Sequence, residues 1–194
     1  MEKEICRTFE GKYIEGPLII TPNIYLDERG FFYESWNKES FDNLLEREIN
    51  FVQDNHSLST FATLRGLHFQ VGPNFQDKLV RCTKGCIFDV AVDLRKNSET
   101  FGHWIGFELS CKNKKQFWIP SGFAHGFLTL IDNSEVQYKC TGKWDKSAER
   151  TIRWNDEDIS IHWPLKNLKQ NDLKISKKDK NGLTLKQYMN FDDF

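Results

Sequence analysis

The sequence predicts a mostly β chain folded as a sandwich or jelly roll, on three grounds. Period-two alternation of apolar and polar residues recurs along it, glycine and asparagine punctuate the alternating runs, and helical spacing stands out in one place. The clearest strand follows Gly85, where Phe88, Val90, Val92 and Leu94 share one face and Ile87, Asp89, Ala91 and Asp93 the other. Further strands are predicted at Phe31 to Trp36, Phe51 to Asp54, Lys78 to Thr83, Trp104 to Leu109, Gln116 to Ile119, Gly126 to Ile131, Glu135 to Thr141 and Thr151 to Trp154. The one helix runs from about Glu39 to Glu48, with Asn37 or Ser40 to cap it and Phe41, Leu44 and Leu45 on one face. Turns at this density suit stacked antiparallel sheets better than a parallel sheet, whose strands need long crossovers.

Length and composition point to one domain. The chain has 194 residues, 39% of them apolar and 14% aromatic, and a domain of this size buries roughly 70% of its unfolded surface. Lys plus Arg number 27 against 28 Asp plus Glu, a formal net charge of -1, so no global basic field exists to grip nucleic acid. An anionic partner must be met by a local cluster. The five cysteines are an odd number without a Cys-x-x-Cys, and read as reduced thiols of a cytoplasmic protein. Met1-Glu2-Lys3-Glu4 opens no secretory leader, and no uncharged apolar run approaches membrane-spanning length, so a soluble protein without membrane contact is expected. There is no internal repeat. From about residue 165 to 194 a C-terminal extension is predicted. Lys166 to Lys180 carries six lysines and two aspartates and reads as a solvated segment wrapped over the body.

Two short stretches carry chemistry. Leu64-Arg65-Gly66-Leu67-His68-Phe69-Gln70 and Ile119-Pro120-Ser121-Gly122-Phe123-Ala124-His125-Gly126-Phe127 each set a histidine near glycine among apolar and aromatic residues. Imidazoles in a dry pocket suit proton transfer. A lone histidine beside Leu67 and Phe69 would by itself suit a core position bonded to a carbonyl, so His68 gains its weight from the surrounding motif.

That motif does not stand alone. Asp27-Glu28-Arg29-Gly30-Phe31-Phe32-Tyr33-Glu34-Ser35, Phe51-Val52-Gln53-Asp54-Asn55-His56-Ser57, Arg65-Gly66-Leu67-His68, Asp89-Val90-Ala91-Val92-Asp93-Leu94-Arg95 and the Ile119 to Phe127 segment occur in the order that resembles the dTDP-4-dehydrorhamnose 3,5-epimerase family. The resemblance runs from about Gly16 to Asp179. It implies a cupin-type jelly roll with a few short helices, a homodimer with an exchanged N-terminal strand, and no cofactor or metal. The implied reaction inverts C3 and C5 of dTDP-4-dehydro-6-deoxy-D-glucose, giving dTDP-4-dehydro-L-rhamnose for dTDP-rhamnose biosynthesis.

Inverting a carbon beside a ketone requires a base, a stabiliser for the enolate and an acid on the opposite face. The resemblance casts His68 as the base and Asp179 as the carboxylate that orients it, although spacing alone leaves Asp89 as a rival orienter. It casts Lys78 beside the ketone, Tyr138 as the proton donor from the far face, and His125 as a hydrogen-bond partner of the sugar. Without it, Lys78 reads as a strand lysine at the surface, and Tyr138 suits core packing as well as it suits a site. For the nucleotide the resemblance implies Arg29, Arg65, Glu34, Gln53 and Asn55, the last two reaching in from the neighbouring subunit. Trp144 stands where the family has a base-stacking tyrosine, and an indole also stacks on a pyrimidine. His56, His103 and His162 are expected to be structural or peripheral.

Three rival readings remain in view. A metal-dependent cupin usually presents His-x-His followed by a carboxylate, whereas here Phe69 and Gln70 follow His68, and Gly126 and Phe127 follow His125. An epimerase acting at C3 only or C5 only, on another nucleotide-linked 4-keto sugar, would keep every motif. A non-catalytic sugar-nucleotide binder would have no use for the set His68, Lys78, Tyr138 and Asp179.

Overall fold

A computed structural model describes residues 1–165, 168–169 and 172–190. Two antiparallel sheets stack face to face. The first has the strand order β1 (Glu2–Arg7), β2 (Tyr13–Thr21), β10 (Gln116–Ile119), β7 (Lys78–Lys84), β12 (Ser134–Cys140) and β5 (Gln53–Ser59). The second runs β13 (Glu149–Thr151), β6 (Thr63–Gln70), β11 (Phe123–Thr129), β8 (Cys86–Asp93) and β9 (Trp104–Ser110), with β14 (Lys174–Ile175) laid parallel on β6. Consecutive strands repeatedly change sheet, as in a jelly roll. A hairpin of β3 (Tyr25–Asp27) and β4 (Gly30–Phe32) stands apart, and three short helices complete the fold: α1 (Lys38–Leu45), α2 (Lys177–Lys180) and α3 (Leu185–Met189).

Alternation dictates three layers of core. Between the sheets pack Val80, Cys82, Phe117, Ile119 and Val136 from the first and Ile87, Ala91, Ile105, Leu109, Phe123 and Phe127 from the second. Val90, Val92, Leu94, Ala124 and Leu128 face outward from the second sheet, where Trp154, Trp163, Leu173, Leu185 and Tyr188 of the C-terminal segments cover them. Both faces of β8 are therefore buried, and its two predicted faces go to two different cores. On the outer side of the first sheet Phe41 of α1 packs with Ile20, Ile49, Leu79 and Trp118.

Buried carboxylates on the inner face of β8 need partners. Asp93, with no exposed surface, accepts hydrogen bonds from Arg95 N, Nε and Nη2 and from the Ser98 and Thr100 hydroxyls. Burial pushes its carboxyl up, but these donors outweigh it and hold the group below its ordinary range.

Several predicted elements are displaced. Helix α1 stops at Leu45 because Glu46 adopts a left-handed backbone with φ 56°, and its cap is Asn37, whose Oδ1 accepts from Ser40 N at 3.1 Å. The strand predicted over Phe31 to Trp36 shrinks to Gly30–Phe32, and that over Phe51 to Asp54 slides to Gln53–Ser59. Strands β1, β2 and β6 were not predicted. β1 is charged and exposed, β2 contains Gly16 and Pro17, and β6 is interrupted by Gly66. β1 pairs with β2, and β2 with β10, in the first sheet. The lysine-rich segment is not simply solvated: Leu173 and Asp179 are buried and β14 pairs with β6, while its residues 166–167 and 170–171 lie outside the described residues.

One contact controls how closely β6 and β11 approach. A Cβ on Gly66, whose φ is +125°, would lie 2.5 Å from Gly126 Cα, and one on Gly126 would lie 2.7 Å from Arg65 O. Both neighbours are backbone atoms, so neither can swing aside. Gly66→Ala is expected to cost more than about 2 kcal/mol of stability through strain and collision. A urea midpoint equal to that of the parent protein would contradict this account of the strand pair.

Candidate active site

At one end of the space between the sheets the apolar core gives way to an open cavity of about 600 Å3. Strand register decides what faces it. His68 of β6 and His125 of β11 are directly opposed, which puts both rings on the same face of the second sheet. Across the cavity, Lys78 of β7 opposes Cys140 of β12, and Tyr138 and Cys140 of β12 oppose Asn55 and Gln53 of β5. All of these side chains line the cavity.

Each histidine is held by its own carboxylate. His68 Nε2 lies 2.7 Å from Asp179 Oδ1, and Gly66 N donates to Asp179 Oδ2 at 3.3 Å. Ser176 caps α2 by accepting from Asp179 N, which fixes the carboxylate at the base of the cavity wall. Burial pushes the Asp179 carboxyl up, but the His68 bond and charge, Gly66 N–H and the Ser176 hydroxyl together hold it below its ordinary range. The carboxyl is therefore ionised, so Nε2 of His68 donates and Nδ1 is left to accept a proton. His125 Nε2 lies 2.8 Å from Asp89 Oδ1, with no exposed surface on Asp89. Geometry thus separates the two candidate orienters: Asp179 serves His68 and Asp89 serves His125.

The two rings sit in different surroundings. Burial, opposed by Asp89 and reinforced by Lys78 and His68, pushes His125 down and keeps it neutral. Lys78 is 7% exposed, and its ammonium donates to His68 O at 3.3 Å. Among the described residues no carboxylate lies within ion-pair distance of it. Burial pushes its pKa down, so negative charge appearing in the cavity would be strongly stabilised beside it. Tyr138 is pushed up by burial and stays a neutral phenol able to donate.

The mouth is cationic. Arg65 lies along one side, its Nε bonded to Ser59 Oγ at 3.0 Å and its Nη2 to Leu58 O at 3.3 Å. Lys174 and Lys178 join it from the C-terminal segment, Lys174 bonded to Thr60 Oγ1 at 2.8 Å and Lys178 paired with Glu149. Sequence reasoning missed these two lysines and Ser176. Their signal was the lysine run itself, whose docked face could not be told from its solvated one. Opposite stands Trp144, 54% exposed, with its backbone N donating to Gln53 Oε1 at 2.9 Å.

The expected nucleotide residues fall into two groups by their place in the single chain. Gln53 and Asn55 line the cavity of their own chain, because β5 pairs with β12 of that chain. Arg29 and Glu34 do not line it. Arg29 sits 84% exposed on the β3–β4 turn, paired with Asp27, and Glu34 accepts from Asn37. His56, His103 and His162 lie away from the cavity, against Glu135, Glu10 and Phe9. Among the described residues no three His, Cys, Asp or Glu side chains converge as metal ligands do, and no helix is long and apolar enough to cross a membrane.

Such a cavity can take a proton at one wall, hold an oxyanion and return a proton from the other wall, with cations at its entrance for an anionic tail. Comparison with known proteins agrees. A protein of Escherichia coli (strain K12) named dTDP-4-dehydrorhamnose 3,5-epimerase is 53% identical over 172 residues, covering 89% of this chain and 91% of that protein. A crystal structure of dTDP-4-dehydrorhamnose 3,5-epimerase from Elizabethkingia anophelis superposes with a TM-score of 0.86 at 42% identity over 99% of both chains. One of a Legionella pneumophila dTDP-6-deoxy-D-glucose-3,5-epimerase in complex with dTDP-4-keto-L-rhamnose also gives 0.86, at 44% identity over 95% of this chain and 94% of that one. Residues 12–187 match the dTDP-4-dehydrorhamnose 3,5-epimerase family as a whole, and the chain belongs to that family.

Proposed function

We propose that the protein inverts C3 and C5 of dTDP-4-dehydro-6-deoxy-D-glucose to give dTDP-4-dehydro-L-rhamnose, as an isomerase of dTDP-rhamnose biosynthesis. The observation that carries this reading is the Asp179–His68 pair facing Tyr138 across a cavity that also holds the buried Lys78.

At each carbon, His68 Nδ1 takes the proton next to the ketone. The electron pair of the broken C–H bond moves into a carbon–carbon double bond, and charge collects on O4. Lys78 bonds that oxygen, and because the ammonium is already dehydrated the stabilisation is not spent on stripping water from it. Tyr138 donates its hydroxyl proton to the opposite face of the carbon, the ketone re-forms, and the phenolate and imidazolium return to their starting states by proton exchange with solvent. Asp179 stabilises the imidazolium in the interval. His125, neutral and fixed by Asp89, accepts from or donates to the sugar without competing for the proton. Arg65, Lys174 and Lys178 meet the diphosphate and Trp144 stacks on the base.

The same reading includes a homodimer in the cytoplasm. Tyr25, Leu26, Phe31 and Phe32 expose between 58% and 80% of their surface on the β3–β4 hairpin. Two strands alone are marginal in water, and apolar residues gathered on one suit a surface to dock on. A hairpin docked beside the partner's cavity would carry Arg29 and Glu34 to its nucleotide. Cys6, Cys82 and Cys140, all buried thiols, fit a reducing compartment.

In deuterated water the enzyme is expected to place deuterium at both C3 and C5 of the substrate, read by NMR. Label at one carbon only would make it a single-site epimerase. His68→Asn should abolish exchange at both positions, whereas Tyr138→Phe should depress inversion more than exchange; equal, near-normal rates in both would reverse the assignment of base and acid. Lys78→Met should lower kcat by about a hundred-fold or more, the usual cost of losing an oxyanion donor. Replacing Leu26 and Phe32 by Asp should yield monomers in sedimentation; an unchanged mass would leave the hairpin without that task.

A further inference from the structure

Gln70 lies on β6 two residues beyond His68, buried at 5% exposure, and does not line the cavity. Its amide is nonetheless fully engaged, and every bond goes to the two loops that build the mouth. Nε2 donates to Asn74 O at 2.6 Å and to Lys143 O at 3.1 Å, while Oε1 accepts from Asp145 N at 2.7 Å. The last two bonds bracket Trp144 on both sides. Asn74 in turn donates from Nδ2 to Asp145 Oδ2 at 2.6 Å, so the loop between β6 and β7 is tied directly to the loop between β12 and β13. From the facing sheet, Gln53 Oε1 accepts from Trp144 N at 2.9 Å. The backbone on either side of the indole is thus gripped from both sheets, while the indole itself stays half-exposed at the cavity mouth.

We infer that Gln70 is a positioning residue for nucleotide recognition: it holds Trp144 as a pre-set plate for the base, at a fixed distance from His68 on the same strand. This rests on the reading that the cavity takes a sugar nucleotide. The physical reason is entropic. A surface loop that had to be ordered on binding would take that ordering out of the affinity, whereas a loop already held by hydrogen bonds from a buried amide does not. The Gln70 side chain bonds both loops from β6, so the spacing of base wall and proton-transfer end is set in part through position 70.

The test uses dTDP itself as the probe, with calorimetric affinities for the full chain and its variants. Gln70→Met should weaken dTDP binding by roughly tenfold, within the usual range for coupled neighbours. In a Trp144→Ala background, where the plate is gone, the same substitution should change affinity by less than about twofold. With the complete substrate, KM should rise in step with the loss of affinity while kcat falls by less than about threefold. Asn74→Ala breaks the tie between the loops from the surface side, and should reproduce part of the affinity loss even where Gln70→Met fails to fold. Equal penalties for Gln70→Met with and without Trp144, or folded Gln70→Met and Asn74→Ala proteins that bind dTDP as the parent does, would overturn the inference. A parent protein that does not bind dTDP would instead remove the nucleotide reading on which it rests.

Discussion

The antiparallel register of β6 and β11 is the constraint on which the site depends. It sets His68 opposite His125 and turns both rings into the gap between the sheets. The register shifts between His125 and Phe127, and the strands can close there because Gly66 and Gly126 present no side chains to each other. Glycine beside each histidine is thus a requirement of backbone approach, and the proton-transfer groups occupy positions that this approach makes possible.

Placing ionisable groups at the end of an apolar core is costly, and the molecule meets that cost in two ways. Asp179 and Asp93 are wrapped in donors, which keeps them charged. For Lys78, and for His125 in spite of its bond to Asp89, burial outweighs the compensation and destabilises the charged form. The first pair of groups gives fixed geometry. Of the second pair, Lys78 responds to whatever enters the cavity, because an incoming anion or enolate supplies the charged partner it lacks among the described residues.

Much of this was legible in the sequence where local rules apply. Alternation over Phe88 to Leu94 identified β8 and its two faces, and the glycine-histidine motifs pointed to the cavity before its walls were known. What escaped was non-local. The lysine run could not reveal that Leu173 and Asp179 would be buried, since that depends on an apolar surface more than a hundred residues earlier. That Gln53 and Asn55 face the cavity of their own chain depends on the pairing of β5 with β12, which is decided by topology, not composition. Gln70 carries no local signal of its task, which only the position of two distant loops discloses.

The carboxylate that orients His68 lies 111 residues further along the chain, close to its C-terminal end. It arrives on the same segment that lays β14 against β6, so His68 gains its orienting partner when that segment docks on the second sheet. The same segment carries Leu173, Leu185 and Tyr188 into the outer core, so covering the sheet and orienting the imidazole go together. A molecule in which this segment comes undone loses its cover and its counterion at one stroke.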